Sequence, residues 1–325
     1  MKRTRKEIAR DASEETTWDD LLGGSPEPDE EARAAIVISV SSGRCRVFRD
    51  GREFDCIVPP HIAVRQKSAL AVGDRVLVDE DRIERVLSRH SVLARPDPLR
   101  PHMQRLIAAN IDVVVHVVSV KAPPLRPRLI DRYMIAILRG NAQPAICVNK
   151  VDLLDDEERA AAAELLAPYR ELGVPVVFCS TRSGEGIDEL RSLVEGKTCA
   201  LVGHSGVGKS SILNALDQRL EIAVGDLHAK RGTGRHTTTA STLHDLGGGT
   251  LLIDTPGIRE FGLWNLDRES LRDYFPELEE PAEYCRFNDC THVHEPGCEV
   301  KERVAAGTLN RARYDTYLRL YEDLA

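Results

Sequence analysis

Gly203-His204-Ser205-Gly206-Val207-Gly208-Lys209-Ser210 has the residue types and spacing of a loop that wraps phosphates. An apolar run at 199–202 precedes it, and a helix-forming run at 211–216, opened by Ser211, follows. The three glycines let backbone N–H groups turn inward, at the positive end of the following helix. Lys209 is placed for the β and γ phosphates of a nucleoside triphosphate, and the Ser210 hydroxyl for Mg²⁺.

A second group of residues could choose the base. Asn149-Lys150-Val151-Asp152 follows the apolar run 145–148. The Asp152 carboxylate can accept from both the N1–H and the 2-amino group of guanine, a pair of donors that adenine lacks. Asn149 can meet the N7 and O6 region, and the aliphatic stem of Lys150 can cover the ring. Ser180 and Thr181, at the end of the next apolar run, can offer hydroxyl and backbone donors to guanine O6. Asp254-Thr-Pro-Gly257 ends a further apolar run. Its Asp254 can hold Mg²⁺ through water, and the Gly257 N–H can sense a γ-phosphate. In the polar stretch 230–240, Thr237-Thr238-Thr239 offers a switch hydroxyl for Mg²⁺, with Thr238 and Thr239 the better candidates.

The order of these groups is unusual. Guanine-nucleotide switches generally carry the phosphate loop first and Asn-Lys-x-Asp later; here Asn149–Asp152 and Ser180 precede 203–210 and 254–257. A circular permutation leaves every loop at the same sheet edge, so the site survives it. It also runs the γ-phosphate-sensing loop directly into the C-terminal segment.

That segment holds Cys285, Cys290, His292 and Cys298, spaced Cys-x₄-Cys-x-His-x₅-Cys. Three thiolates and one imidazole suit a closed tetrahedral structural zinc site, and the spacing leaves His294 open as a substitute for His292. The other five cysteines, Cys45, Cys56, Cys147, Cys179 and Cys199, sit mostly in apolar runs and read as small buried hydrophobes.

The elements that must position these residues follow from pattern. A chain of 325 residues is two or three domains, and 42% hydrophobic with 30% charged residues is ordinary for a globular protein. No run of about 18 apolar residues occurs, which excludes a membrane-spanning helix. The first residues, basic then acidic with no apolar core, are not a secretory signal, so a cytoplasmic protein without membrane association is expected. A net charge of −8 means that any nucleic-acid contact must be local. Residues 1–33 read as a disordered arm. Five short β-type runs between 35 and 87, separated by turns such as Asp50-Gly51, suggest an OB-type barrel over 34–95. A proline-punctuated linker at 95–101 closes it. Strand and helix patterns then alternate: strands near 112–118, 145–148, 174–179, 199–202 and 250–253, with helices between. This rhythm predicts a doubly wound, mostly parallel α/β sheet.

A permuted GTPase core behind a small barrel, with Gly-Arg235-His236-Thr-Thr-Thr and the Cys-x₄-Cys-x-His-x₅-Cys tail, resembles the RsgA (YjeQ) family. These are bacterial GTPases of late small-ribosomal-subunit maturation. The likeness spans about 34–320. It implies an OB barrel at 34–95 that binds rRNA and a circularly permuted GTPase domain at 102–262. A zinc-binding domain at 263–325, with Cys285, Cys290, His292 and Cys298 as ligands of one ion, completes it. GTP and GDP, Mg²⁺ and the small (30S) subunit with its rRNA are the implied partners of a monomer. His204 departs from the polar amide expected in the loop.

Many GTPases place a water-orienting Gln directly after Asp-x-x-Gly; here Ile258 stands there and cannot orient water. Hydrolysis is therefore expected to be slow without a partner, with His236 and Lys209 as the candidate catalytic residues. The basic run Arg82, Arg85, Arg89, His90, Arg95, Arg100, His102 and Arg105 could track RNA phosphates. Two rivals stand beside this reading. A kinase or ATPase is disfavoured by Asn149–Asp152; a nucleotide-gated RNA-binding module would show little catalysis.

Overall fold

The structure, a computed structural model, describes residues 21–23, 26–60, 62, 70–97, 100–217, 241–255 and 266–324. Five strands close a small barrel in the order β1-β2-β3-β5-β4. They are β1 (Ala35–Ser41), β2 (Arg44–Arg49), β3 (Arg52–Ile57), β4 (Arg75–Asp79) and β5 (Arg82–Val86). Their alternation sets the wall: Cys45 and Val47 of β2 face inward with Val37, Cys56, Val76 and Ile83, while Arg44 and Arg46 face out. The β2–β3 hairpin turns on Asp50 (φ 52°) and Gly51 (φ 75°), the two left-handed residues that a tight twisted hairpin needs.

Two expectations about the flanks give way. The arm at 1–33 is ordered at its end: α1 (Pro28–Arg33) is a short helix with proline in its first turn. Its Glu30 and Glu31 pair with Arg85 and Arg75 of the barrel, an electrostatic latch that composition does not show. The expected linker at 95–101 is instead part of a two-stranded hairpin, β6 (Val92–Asp97) with β7 (Arg100–Ala109). In a two-stranded sheet each strand has a free edge, so Pro96 is tolerated, and the register shifts beside it.

The second unit is a six-stranded sheet in the order β10-β9-β8-β11-β13-β12. Its chain runs β8 (Val113–Ser119), α2 (Pro127–Arg139), β9 (Gln143–Asn149), α3 (Asp156–Glu171), β10 (Val176–Phe178), α4 (Ile187–Val194), β11 (Thr198–Val202), α5 (Lys209–Leu216), β12 (Thr242–Gly247) and β13 (Thr250–Asp254). All pairings are parallel except that of the edge strand β12 with β13. Every residue of β8 is buried, His116 and Ser119 included, which explains why its valines fall on both faces instead of alternating with exposed polar residues. Val113, Val115 and Val117 pack under α4 and α5, while Val114 packs with Tyr133 and Ile137 of α2. The strands march from β8 to β10 on one side, and β11 then returns to the other side of β8. That reversal opens a crevice at the carboxyl ends of β8 and β11.

The C-terminal unit comprises two 3₁₀ turns (Ser270–Tyr274, Pro276–Leu278) and helices α6 (Glu279–Ala282), α7 (Glu299–Ala305) and α8 (Arg311–Asp323). Phe275, Val300, Tyr314, Tyr317 and Leu320 form its core, and Ile135 of α2 joins them, so this unit is seated on the sheet domain. Among the described residues no helix is long and apolar enough to cross a membrane.

Candidate nucleotide-binding and metal sites

The loop 203–208 leaves β11 at the crevice and enters α5. Gly203 has φ 140°, and a Cβ there would lie 2.2 Å from the Val117 carbonyl oxygen; Gly208 has φ 100°, and a Cβ there would lie 2.3 Å from Asn149 Nδ2. No larger residue fits either position. Ser205 and Gly206 are exposed and Ser210 and Ser211 half-buried in the first turn of α5. His204 is exposed, with its ring against the Ser205 carbonyl, so its departure from an amide leaves the loop intact.

Lys209 folds back over this loop. Its Nζ donates to the carbonyls of Gly203 (2.7 Å) and His204 (3.2 Å), neutral acceptors that phosphate oxygens can replace. Burial pulls its pKa down, and the nearby Asp254 carboxylate opposes the fall. Asp254 shows the reciprocal effect: burial pushes its carboxyl up, and Lys209 opposes the rise. Asp254 ends β13 in register with Leu201 of β11, and Lys209 opens the helix that follows the β11 loop, so each charge acts on the other.

The base-reading residues lie at the same edge although they come earlier in the chain. Asn149, at the end of β9 and 1% exposed, donates from Nδ2 to the Val207 carbonyl at 2.9 Å. Lys150 is left-handed (φ 66°), and its Nζ spans from Ala122 O to Gly206 O, 2.6 Å to each. Its stem therefore lies beside the phosphate loop. Val151 is buried, and its N–H donates to Cys179 O, directly after β10. The Ser180 hydroxyl, which the sequence places against guanine O6, donates instead to Asp152 Oδ1 at 2.6 Å. It thus orients the carboxylate; Thr181 is half-buried next to it.

His236, Thr238, Thr239, Gly257 and Ile258 lie outside the described residues. The basic run is only partly a surface. Arg89 is buried in a two-pronged pair with Asp74 (2.6 and 2.8 Å), Arg85 is paired with Glu30, and His90 sits 3.4 Å from Asp112. Arg89 is therefore a structural cation, a role that sequence spacing cannot separate from phosphate binding.

At the C-terminal end, Cys285, Cys290, His292 and Cys298 place one ligand atom each within 4.8 Å of all the others. Cys285 Sγ and Cys298 Sγ are 3.9 Å apart, and His292 Nδ1 lies 3.6 and 3.5 Å from them. Thiolates at about 2.3 Å from a tetrahedral zinc stand about 3.8 Å apart, so the donors fit such an ion. His294, exposed, is outside the cluster. Burial pushes the Cys290 thiol up to about 12 and holds His292 down. A dication reverses that preference in the thiols. The Glu295 carboxylate accepts from Thr291 N, Thr291 Oγ1, Val293 N and His294 N, fixing the turn.

The comparisons agree with this geometry. The family model described as RsgA GTPase matches residues 86–264. The small ribosomal subunit biogenesis GTPase RsgA of Haemophilus influenzae is 36% identical over 333 residues, spanning 98% of this chain and 91% of its own. RsgA 1 of Vibrio vulnificus is 43% identical over 246 residues, covering 75% of this chain and 68% of its own. The crystal structure of YjeQ from Thermotoga maritima superposes with a TM-score of 0.72 at 32% identity, over 90% of this chain and 98% of that one. YloQ, described as a circularly permuted GTPase, gives 0.68 at 26% identity, over 90% and 94%. With a barrel, a permuted nucleotide-binding sheet and a Cys₃His cluster in that order, the chain belongs to the RsgA GTPase family.

Proposed function

We propose that this protein binds and hydrolyses GTP and acts in late assembly of the small ribosomal subunit. The observation that carries the guanine reading is the bond from Asn149 Nδ2 to Val207 O. It joins the base-reading motif to the phosphate loop in one site, against the order of the chain. Asp152 and Asn149 read the base, Lys150 flanks it, and Gly203–Ser211 hold the phosphates. Lys209 leaves its two carbonyls for the β and γ oxygens, where its charge offsets what develops on the leaving phosphate.

Ser210, Asp254 and one of Thr238 and Thr239 would hold Mg²⁺, which when bound neutralises phosphate charge. Cys285, Cys290, His292 and Cys298 would hold one structural zinc ion. His236 is the residue proposed to aim the attacking water, a role that rests on its place in the polar switch and on Ile258 being apolar. The barrel at 34–95 is proposed to meet rRNA, with the GTPase domain at 102–262 and the metal-binding domain at 263–325. On the outer face of β2, Arg44 is exposed and suits such a contact, while Arg46 is paired with Asp55 at 3.1 Å. The protein is proposed to act as a cytoplasmic monomer away from membranes.

The test is hydrolysis of GTP against ATP with and without purified small subunits. GTP-selective turnover that rises strongly with subunits is expected, and His236→Ala should remove most of the rise; a positioned acid–base group typically contributes about 10²–10⁴-fold. Nucleotide-dependent subunit binding without turnover would instead make the protein a gated RNA-binding module.

A further inference from the structure

Cys147 and Cys179, two of the cysteines that read as plain core residues, touch each other, and Cys179 touches the guanine-reading amide. Both are fully buried, Cys147 near the carboxyl end of β9 and Cys179 directly after β10, with their Sγ atoms 3.2 Å apart. Cys179 Sγ lies 3.8 Å from Asn149 Oδ1. The direction of every bond in this chain is forced. The Val207 carbonyl can only accept, so the Asn149 amide must turn Nδ2 toward it and Oδ1 toward the sulfur. Cys179 must then donate its one hydrogen to Oδ1, and its sulfur is left to accept from the Cys147 thiol. Both groups must be protonated for this. The hydrogen bond to Cys179, together with burial, holds the Cys147 thiol well above its usual range.

We infer that Cys179, backed by Cys147, is a positioning residue for guanine recognition, because it fixes the rotamer in which Asn149 presents its second Nδ2 hydrogen to the base. This rests on Asn149 reading the base. An amide torsion is broad when nothing pins it, and Val207 pins only one end. The thiol pins the other. The hydrogen that remains is a donor, and the matching acceptor on a purine is N7.

The test compares the affinities of GDP and 7-deaza-GDP, which lacks the N7 acceptor, for the full chain and its variants. The wild type should prefer GDP. Cys179→Val keeps shape but removes the donor; it should weaken GDP by about three- to tenfold, the range for one neutral hydrogen bond, and leave 7-deaza-GDP unchanged. Cys179→Ser keeps a donor and should retain the preference. Should the valine variant fail to fold, Cys179→Ala reads the same loss. If Cys179→Val keeps the wild-type preference, or weakens both ligands equally, the positioning role is overturned. Asn149→Ala separates the two readings. If it leaves the preference untouched, Asn149 does not read N7, and the base assignment falls; if it abolishes the preference while Cys179→Val does not, only the thiol's role falls.

Discussion

Arg313 and Asp131 are 182 positions apart in the chain, yet the Arg313 guanidinium meets Asp131 Oδ1 at 2.6 Å in a buried contact. Arg313 belongs to α8 of the C-terminal unit and Asp131 to α2 of the nucleotide-binding sheet. The same guanidinium binds Glu277 in a two-pronged pair (2.6 and 3.1 Å) and lies over the Phe275 ring. Tyr169 of α3 donates to the same Asp131 oxygen at 2.7 Å. Despite burial, the flanking carboxylates hold the guanidinium above its ordinary pKa. One cation therefore fastens the C-terminal unit to two helices of the sheet domain.

Removing it should be costly. Arg313→Ala leaves Asp131 and Glu277 close together without their cation, and Asp131 Oδ2 already has no partner. Breaking a buried pair in this way costs about 3–5 kcal/mol. Denaturant unfolding should show that loss, and a cycle with Asp131→Asn should show strong coupling. Additive effects would mean that the pair does not fasten the units.

How much of this was legible from sequence depends on distance along the chain. The phosphate loop, Asn149–Asp152 and the Cys₃His cluster are local patterns, and their strands and helices carry strong periodicity, so each falls where spacing puts it. The barrel strands follow from alternation and turns for the same reason. The β6–β7 hairpin was hidden because Pro96 reads as a break, and only a free edge makes it tolerable. β12 was hidden because its exposed half is polar. Arg313–Asp131, Arg89–Asp74 and Cys179–Asn149 have no sequence signature at all: each pairs residues separated along the chain, and their meaning appears only when the fold brings them together.

The Lys209–Asp254 pair predicts a pH dependence. Burial raises the folded-state pKa of Asp254, so the folded, nucleotide-free chain loses stability as pH rises from the unfolded value of 3.8 through the raised one. Asp254→Asn should therefore raise the melting temperature of the nucleotide-free protein at neutral pH, a gain that vanishes below pH 3.8. The same variant should lose Mg²⁺-dependent GTP binding. In the wild type that Mg²⁺ dependence should fade on acidification while the pH is still above 3.8, because protonation competes with the cation. Calorimetry across pH, with and without Mg²⁺, reads both effects; a destabilised Asp254→Asn at neutral pH would contradict the sign.

The metal cluster predicts a local collapse. Tyr314 and Tyr317 donate to the carbonyls of His292 (2.6 Å) and Thr291 (2.9 Å), so the turn at Thr291–His292 and α8 hold each other. Zinc binding in small modules is worth on the order of 10 kcal/mol, far more than these two hydrogen bonds. Elemental analysis should find one zinc ion per chain. Chelation or Cys298→Ser should release it, change the near-ultraviolet tyrosine signal and expose the C-terminal unit to protease. Full resistance to protease in a metal-free protein would show that the fold does not need the ion.

The base pocket predicts a change of nucleotide with a geometric cause. Ser180 Oγ accepts from Arg182 N and Ser183 N, both at 3.2 Å, so its own hydrogen is free for Asp152 Oδ1. In Asp152→Asn that hydrogen still demands an oxygen, which keeps the new amide's oxygen on the Ser180 side and turns its NH₂ outward. Guanine presents donors there, so GTP should weaken by about ten- to a hundredfold, the range for a hydrogen bond to a charged group. Xanthine carries an oxygen in place of the 2-amino group and accepts from the amide, so XTP should bind better than in the wild type. Adding Ser180→Ala frees the amide to flip, and the XTP gain should shrink while GTP partly recovers. Titrations of GTP and XTP against the wild type and both variants test this. Unchanged GTP affinity in Asp152→Asn would remove the carboxylate from the base pocket, and an XTP gain that survives Ser180→Ala would show that the hydroxyl does not set its orientation.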